Sequence, residues 1–476
     1  MTDILNRLEG PAIQQEFIER DTEIAERIGY DPDHLNDDYA TWQVGGEIEI
    51  PGVAEPVAVG RYHVGPNELV GAGGMKYKLH ATPDAMDRNG YVHAYYMDRK
   101  AGVLNENFAG HKSMINADPR ALEKEQLRAG VEQKALFMAN SGLLYYADKP
   151  AGDEGTNPYI DAYWQKLEAE GFKYPWANIT GKSDMLERPS ATGDGAGIVL
   201  RNIMRYEGKN ATTLATQGLG FAGAYLNAEA ANPRNDADRA QKIAVMGAGD
   251  MLLNGKKVAL VTSHPDGLPF NRDMVKSILT DPTDRDMKAT KGDKALAFAA
   301  KFERMGHPFE LKEGDILTNF KGAEIMAPAA TSGVITEKNM LDIECDTLAE
   351  QANNVHTIAA LALFHEMASQ GQAPYKHLTT ALLSAGGVKM SFIERRRDME
   401  RIAAEEAGLA FTPNPDEVYY QEMRDDLERA TTQTNRMAEV FGFSNADAVK
   451  AVSMANRALR TGRDISDTAR NIMLAA

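Results

Sequence analysis

The chain has 476 residues, 43% of them hydrophobic, and its 69 acidic and 52 basic side chains give a formal charge of -17 at pH 7. That length exceeds one ordinary core and the apolar content can fill two, so two globular domains are expected and a disordered chain is excluded. The acidity argues against nucleic acid or an anionic membrane as a standing partner, because a polyanion would be repelled over much of the surface, yet it allows a local cationic pocket for a dicarboxylate.

The N-terminus, Met1-Thr-Asp-Ile-Leu, carries early acid and no apolar run, unlike a secretory signal. Residues 1–190 mix strand-like runs with longer helices and lack regular βα alternation. Glu47-Ile-Glu-Ile-Pro alternates polar and apolar, and Val57-Ala-Val follows a turn-like Pro-Gly, so residues 44–60 are expected to pair as a short, partly exposed hairpin. Leu122, Leu127, Val131 and Leu136 have helical spacing among charged neighbours and predict a helix over 121–138.

From Thr192 the texture changes to Gly- and Ala-rich helix, then strand, glycine turn and helix. Ala211–Gln217 predicts a buried strand, 222–231 a helix, and 257–262 and 323–328 later strands, which is the α/β signature. Between the first strand and its helix lies Gly218-Leu-Gly220-Phe-Ala-Gly223. A dinucleotide site needs one glycine for the tight turn, one for pyrophosphate approach and one for helix-strand packing. The helix N-terminus would turn its unpaired N–H groups toward the phosphates. The usual window for a ribose-binding acid, about 20 residues on, holds a polar segment here, so an insertion of about 20 residues is inferred. Ribose contacts then fall to Ser263 and Asp266, in Ser263-His-Pro-Asp-Gly267 after the next strand. Gly247-Ala-Gly249 is a rival phosphate loop, disfavoured because the following strand starts too soon for a crossover helix.

The single cysteine, Cys345, excludes an intramolecular disulfide, indicates a reducing compartment, and is expected to be packing rather than a nucleophile. Thr357–Phe364 is apolar but far too short to span a bilayer, so a cytoplasmic protein is expected. The ten histidines are scattered, with no His-Glu-x-x-His and no cysteine pair, so no metal is expected. Beyond about Leu383 the chain is helical and highly charged, over 394–406 and 416–440.

Oxidative deamination of an amino acid needs a hydride acceptor, a cation for the α-carboxylate, and acid-base groups that activate water against an imine. A lysine among other cations suits water activation and an aspartate suits proton relay. Lys100 and Lys112, twelve positions apart, and Asp153 in Pro150-Ala-Gly-Asp supply those groups. Together with Arg188-Pro-Ser-Ala-Thr192-Gly, Glu350-Gln-Ala-Asn353 and Ser384-Ala-Gly-Gly-Val-Lys-Met-Ser391, these segments resemble the glutamate, leucine, phenylalanine and valine dehydrogenase family, most closely its glutamate branch, over roughly Gly71 to Glu394.

The resemblance implies an α/β fold with an N-terminal substrate and oligomerisation domain (1–190), a Rossmann-type dinucleotide-binding domain (191–385) and a C-terminal helical segment (386–476) returning to the first. It implies that Lys112 activates water, Asp153 shuttles the proton, Lys100 holds the α-carboxylate, Ser391 the side-chain carboxylate, and Thr192 and Asn353 the nicotinamide amide. It also implies NAD as cofactor, with NADP compatible, a homo-oligomer, often a hexamer, and domain closure over the substrate. The chain departs from the family pattern at Ser113 and Met114, which replace glycines after Lys112, and at Ala72, which stands where the glutamate branch has a lysine before Gly73-Gly74. Lys76 or Lys78 can substitute for that lysine. Two other readings stay open: a dehydrogenase of an apolar amino acid, and a catalytically weak nucleotide-binding scaffold.

Overall fold

The computed structural model describes residues 7–9, 11–140, 148–150, 159–178, 188–253, 256–279, 291–330 and 332–475. The chain forms two compact units. One combines Met1–Leu186 with Val388–Tyr420 and Lys450–Ala476; the other combines Glu187–Gly387 with Gln421–Val449.

The first unit is built on a six-stranded mixed sheet of β1 (Arg7–Glu9), β2 (Thr41–Ile48), β3 (Val57–Val64), β4 (Gly71–Tyr77), β5 (Ala109–Ile115) and β6 (Asp148–Pro150), in the order β1-β2-β3-β5-β4-β6. The anticipated hairpin is present as β2 and β3, with Ile48 opposite Val57, but each strand runs to eight residues and is largely buried because the sheet is covered on both faces. In β5, Lys112 faces Tyr62 of β3 on one side and Gly74 of β4 on the other. Side chains alternate along a strand. Lys112, Gly74, Ala72 and Lys76 therefore share one face, and His111 and Ser113 share the other.

The helix Pro83–Val103 covers the lysine face. Thr82 caps it by accepting the Ala85 N–H at 3.2 Å, Pro83 fits the first turn, and Asn105 with φ 58° turns the chain away after its end. It lies so close to β5 that a side chain at Gly110 would come within 1.9 Å of the Ala94 carbonyl oxygen. Over the opposite face lies the helix Lys124–Asn140, which starts three residues and ends two residues later than predicted, with Met138 packed on Trp42 and Val44. The C-terminal segments assigned to this unit are held by buried ion pairs, Arg457 to Asp98 at 2.6 Å and Lys450 to Asp21 at 3.1 Å. Burial works to raise the Asp21 carboxyl, but Lys450, Arg99 and the hydroxyls of Tyr39 and Tyr95 together hold it below its ordinary value.

The second unit carries a seven-stranded, mostly parallel Rossmann-like sheet of β7 (Ala211–Gln217), β8 (Lys242–Leu253), β9 (Lys256–Val261), β10 (Glu310–Glu313), β11 (Ile325–Pro328), β12 (Thr347–Ala349) and β13 (Lys376–Leu378), in the order β10-β9-β8-β7-β11-β12-β13. β7 pairs in parallel with β8 and β11, whereas β9 is antiparallel to both β8 and β10. The helix Phe221–Ala231 follows β7 and, with Leu226, Val245, Leu260 and Phe298, fills the main core. Arg201, fully buried, donates to the carbonyls of Asp238 at 3.0 Å and Glu229 at 3.1 Å, so its guanidinium closes the loop between that helix and β8. Arg424 binds the Asp238 carboxylate at 3.0 Å and fixes the segment Gln421–Val449 to the same unit. No helix among the described residues is long and apolar enough to cross a membrane.

Candidate active site

Sheet register and the covering helix bring together four lysines that are far apart in sequence. His93, on the inner side of the Pro83–Val103 helix, is 7% exposed, and its imidazole is held well below its ordinary pKa, first by burial and then by the charges of Lys112, Lys76, Lys78 and Lys100. Lys78 is itself pushed down by burial and by Lys76. Like charges around a buried neutral base create a field suited to anions. In a chain of formal charge -17 this is a local inversion of sign. His93 is the member that sequence reading missed. It lies about two helical turns before Lys100 on the same helix, but a lone histidine there carries no signal without the opposing strands.

The other face of β5 is tied down by a hydrogen-bonded chain. Arg61 Nε donates to His111 Nδ1 at 2.6 Å, and His111 Nε2 lies 2.6 Å from His63 Nδ1, whose Nε2 lies 2.8 Å from the Gly65 carbonyl oxygen. A guanidinium can only donate, so each imidazole is fixed as the tautomer carrying its hydrogen on Nε2. Burial, then Arg61 and His63, hold His111 well below its ordinary pKa. Its ring occupies the space over Gly71, where a Cβ would meet it at 1.9 Å. Ser113, which stands in place of a family glycine, is fully buried beside Met138, 3.9 Å from hydroxyl to sulfur. His111 and Ser113 therefore fill the face of the strand opposite Lys112, whereas Met114 lies on the lysine face.

In the second unit the glycine loop has the geometry its composition implies. Gly218 has φ 105°, a left-handed value, and donates its N–H to Gly249 O at 2.6 Å. Gly220 begins the Phe221–Ala231 helix with no side chain capping it, and nothing lies within 4 Å of where its Cβ would be. A Cβ on Gly223 would sit 1.9 Å from the Gly218 carbonyl oxygen. These are the turn, the open approach and the close packing that a pyrophosphate loop requires.

The chain matches the family model of the Glutamate/Leucine/Phenylalanine/Valine dehydrogenases over residues 261–456. The matched segment spans 196 of the chain's 476 residues. It is similar to the catabolic NAD-specific glutamate dehydrogenase of Bacillus subtilis, 27% identical over 351 residues that make up 69% of this chain and 68% of the relative. The NAD-specific glutamate dehydrogenase A of Halobacterium salinarum is 25% identical over 345 residues, 70% and 67% of the two chains. The fold matches the solved hetero-hexameric glutamate dehydrogenase of Thermus thermophilus in its leucine-bound form, with a TM-score of 0.65, 18% identity and coverage of 96% and 98% of the two chains. A glutamate dehydrogenase of Plasmodium falciparum matches with a TM-score of 0.66 and 14% identity over 94% and 91%.

In the second unit, Thr192 lies half-buried on the helix Arg188–Tyr206, and Asn353 half-buried in the turn after β12, beside Asn354 with φ 53°. Ser391 is half-buried on the helix Gly386–Glu406 and belongs to the first unit, as do Lys76, Lys100 and Lys112. Asp153 lies outside the described residues; Pro150, just upstream, pairs with Met75 one step from Gly74, the partner of Lys112.

The ribose assignment needs correction. The strand next to β7 in the parallel sense is β8, which begins eleven residues after the helix, so there is no insertion between them, and Gly247 and Gly249 are paired on both sides instead of forming a loop. Because β9 runs back antiparallel, Ser263 and Asp266 descend toward the start of β8, where Asp266 pairs with Lys242. Lys242 is level with Ala211, while Gly249 is level with Gln217 and the glycine loop. Seven residues at ~3.3 Å each separate the two levels by roughly 20 Å. Ser263 and Asp266 therefore lie at the wrong end of the sheet for the ribose. Cys345 behaves as packing: burial pushes its thiol up to about 12.

Proposed function

We propose that this chain catalyses the reversible, NAD(P)-dependent oxidative deamination of L-glutamate to 2-oxoglutarate and ammonium. The convergence of Lys76, Lys78, Lys100 and Lys112 on one buried neutral histidine carries the reading, because a dicarboxylate needs more positive charge than a monocarboxylate. Lys100 holds the α-carboxylate. Lys76, on the face of the sheet that bears Lys112, and Ser391 receive the side-chain carboxylate. Once the substrate ammonium has lost a proton, a nicotinamide held there would supply the hydride acceptor for the substrate Cα, which leaves an iminium on the substrate. Lys112 then takes a proton from the water that attacks it, and Asp153 relays a proton to the departing nitrogen. Gly218, Gly220 and Gly223 cradle the pyrophosphate, and Thr192 and Asn353 hold the carboxamide. NAD is the favoured cofactor, in keeping with the NAD-specific relatives, and NADP is the second to test. A cytoplasmic homohexamer is the assembly this reading expects, to be measured by light scattering.

A second reading, a dehydrogenase of an apolar amino acid, draws support from Ala72. It is packed with Ala101, Phe108, Val388 and Phe392, and the rings of Phe108 and Phe392 stack at 4.4 Å next to Ser391. Turnover of a panel of L-amino acids with NAD and with NADP separates the two readings. Glutamate is expected to have the highest kcat/KM, and a preference for leucine overturns the first reading.

A further inference from the structure

The edge of the second sheet holds a cluster that the proposed reaction does not use. Glu350 follows β12, His377 is the middle residue of β13, and His356 lies just beyond the turn that carries Asn353. One oxygen of Glu350, Oε1, is 3.2 Å from His356 Nδ1 and 3.0 Å from His377 Nε2, and the three atoms lie within 4.8 Å of one another. We infer that Glu350, His356 and His377 form a binding site for a divalent first-row transition-metal ion, with zinc the best match.

Two imidazoles and a carboxylate are the donor set that zinc takes in three-ligand sites, with one position left for water. Bonds of about 2.0–2.1 Å in a tetrahedral sphere place neighbouring donors roughly 3.3 Å apart, close to both distances from Oε1. The surroundings also fit. Glu350 and His356 are buried, and His377 is 12% exposed at its side chain. His377 Nε2 is buried with Glu350 Oε1 as its near neighbour at 3.0 Å, and although burial works to raise the Glu350 carboxyl, the two histidines together hold it below its ordinary pKa. On the far side of His356, Nε2 lies 2.9 Å from the Tyr375 hydroxyl, the kind of partner that fixes a metal-binding imidazole with its hydrogen on the other nitrogen. Each donor is placed by backbone: Glu350 N–H donates to Leu378 O at 3.0 Å, and the β12–β13 pairing sets Leu348 opposite His377. An ion here would clip the 350–356 turn onto the sheet edge. Nothing in the sequence marks the site, because residues 350, 356 and 377 match no zinc spacing and are gathered only by the parallel pairing.

The test is cobalt substitution of the full-length chain after chelator treatment. One equivalent of Co2+ is expected to give the intense visible bands of a tetrahedral site, and one equivalent of Zn2+ to displace them. His377→Ala is expected to abolish the bands and weaken zinc binding by calorimetry at least about 100-fold. Tyr375→Phe keeps all three donors and is expected to keep the bands while weakening zinc about 10-fold. A wild-type protein that shows no tetrahedral bands overturns the inference regardless of how the variants fold. Bands that persist unchanged in folded His377→Ala overturn it as well.

Discussion

The glycine loop of the second unit and the lysine cluster of the first are both arranged for anions, by opposite means. The loop uses backbone: a left-handed turn at Gly218, open space at Gly220 and the start of a helix with no side-chain cap. The cluster uses four side-chain charges set around a buried base by sheet register and one covering helix. A backbone site tolerates exchange of its neighbours but no added carbon atom, whereas a side-chain site tolerates backbone variation and depends on each charge and on pH.

The largest expected effect is that of Lys112→Ala, which removes the proposed base. It should lower kcat about 10²–10⁴-fold while leaving NAD affinity within roughly twofold, as followed by nicotinamide absorbance and by fluorescence titration. A variant that keeps most of its turnover would place the chemistry elsewhere. Next is Gly223→Ala, whose new carbon would press on the Gly218 carbonyl oxygen. Overpacking of about 1–3 kcal/mol corresponds to a rise in NAD Kd of roughly 10–100-fold, with binding of 2-oxoglutarate unchanged. Equal loss of both affinities would mean that the two regions are not separable.

The pH response follows from the two buried imidazoles. His93 and His111 have folded-state pKa values well below the ordinary value, so both stay neutral when folded and take up protons more readily when unfolded. Above about pH 6.5 neither state is protonated and nothing is lost; below it the unfolded state binds protons first, so stability falls on acidification. Each histidine contributes at most about 1.4 kcal/mol per pH unit to that slope, and His93→Gln should flatten the acid limb of a denaturation-against-pH curve. A slope unchanged in the variant would show that His93 is not held neutral. The smallest effect is that of Ser391→Ala: loss of one hydrogen bond, about 0.5–1.5 kcal/mol, should raise KM for glutamate by roughly 2–10-fold and leave KM for leucine unchanged. An equal rise for both substrates would give Ser391 a merely structural part.

The two regions also differ in how far a linear reading reaches them. The glycine loop was legible because its demands are local: three glycines at a strand-to-helix junction define the turn, the approach and the packing with no knowledge of other strands. Lys100 and Lys112 were legible through their spacing, but Lys76, Lys78 and His93 become their neighbours only through the Gly74–Lys112 pairing and the closeness of the helix to Gly110. Periodicity also does not disclose strand direction. β8 reads as glycine-broken and β9 as a clean strand, so the ribose contacts were placed after β9, although β9 runs the opposite way to its neighbours.

The chain from Arg61 through His111 and His63 to Gly65, with Gly71 making room for the ring, also bears on how this sequence can change over time. Losing His111 alone takes the acceptor from a buried guanidinium and the donor from a buried imidazole, so a small apolar residue there is tolerated only after Arg61 and His63 have altered. A side chain at Gly71 is blocked until His111 has gone. Neighbours so coupled differ from additivity by about 0.5–3 kcal/mol. These four positions are therefore inherited as a block, and the order in which they mutate is constrained before any substrate is involved.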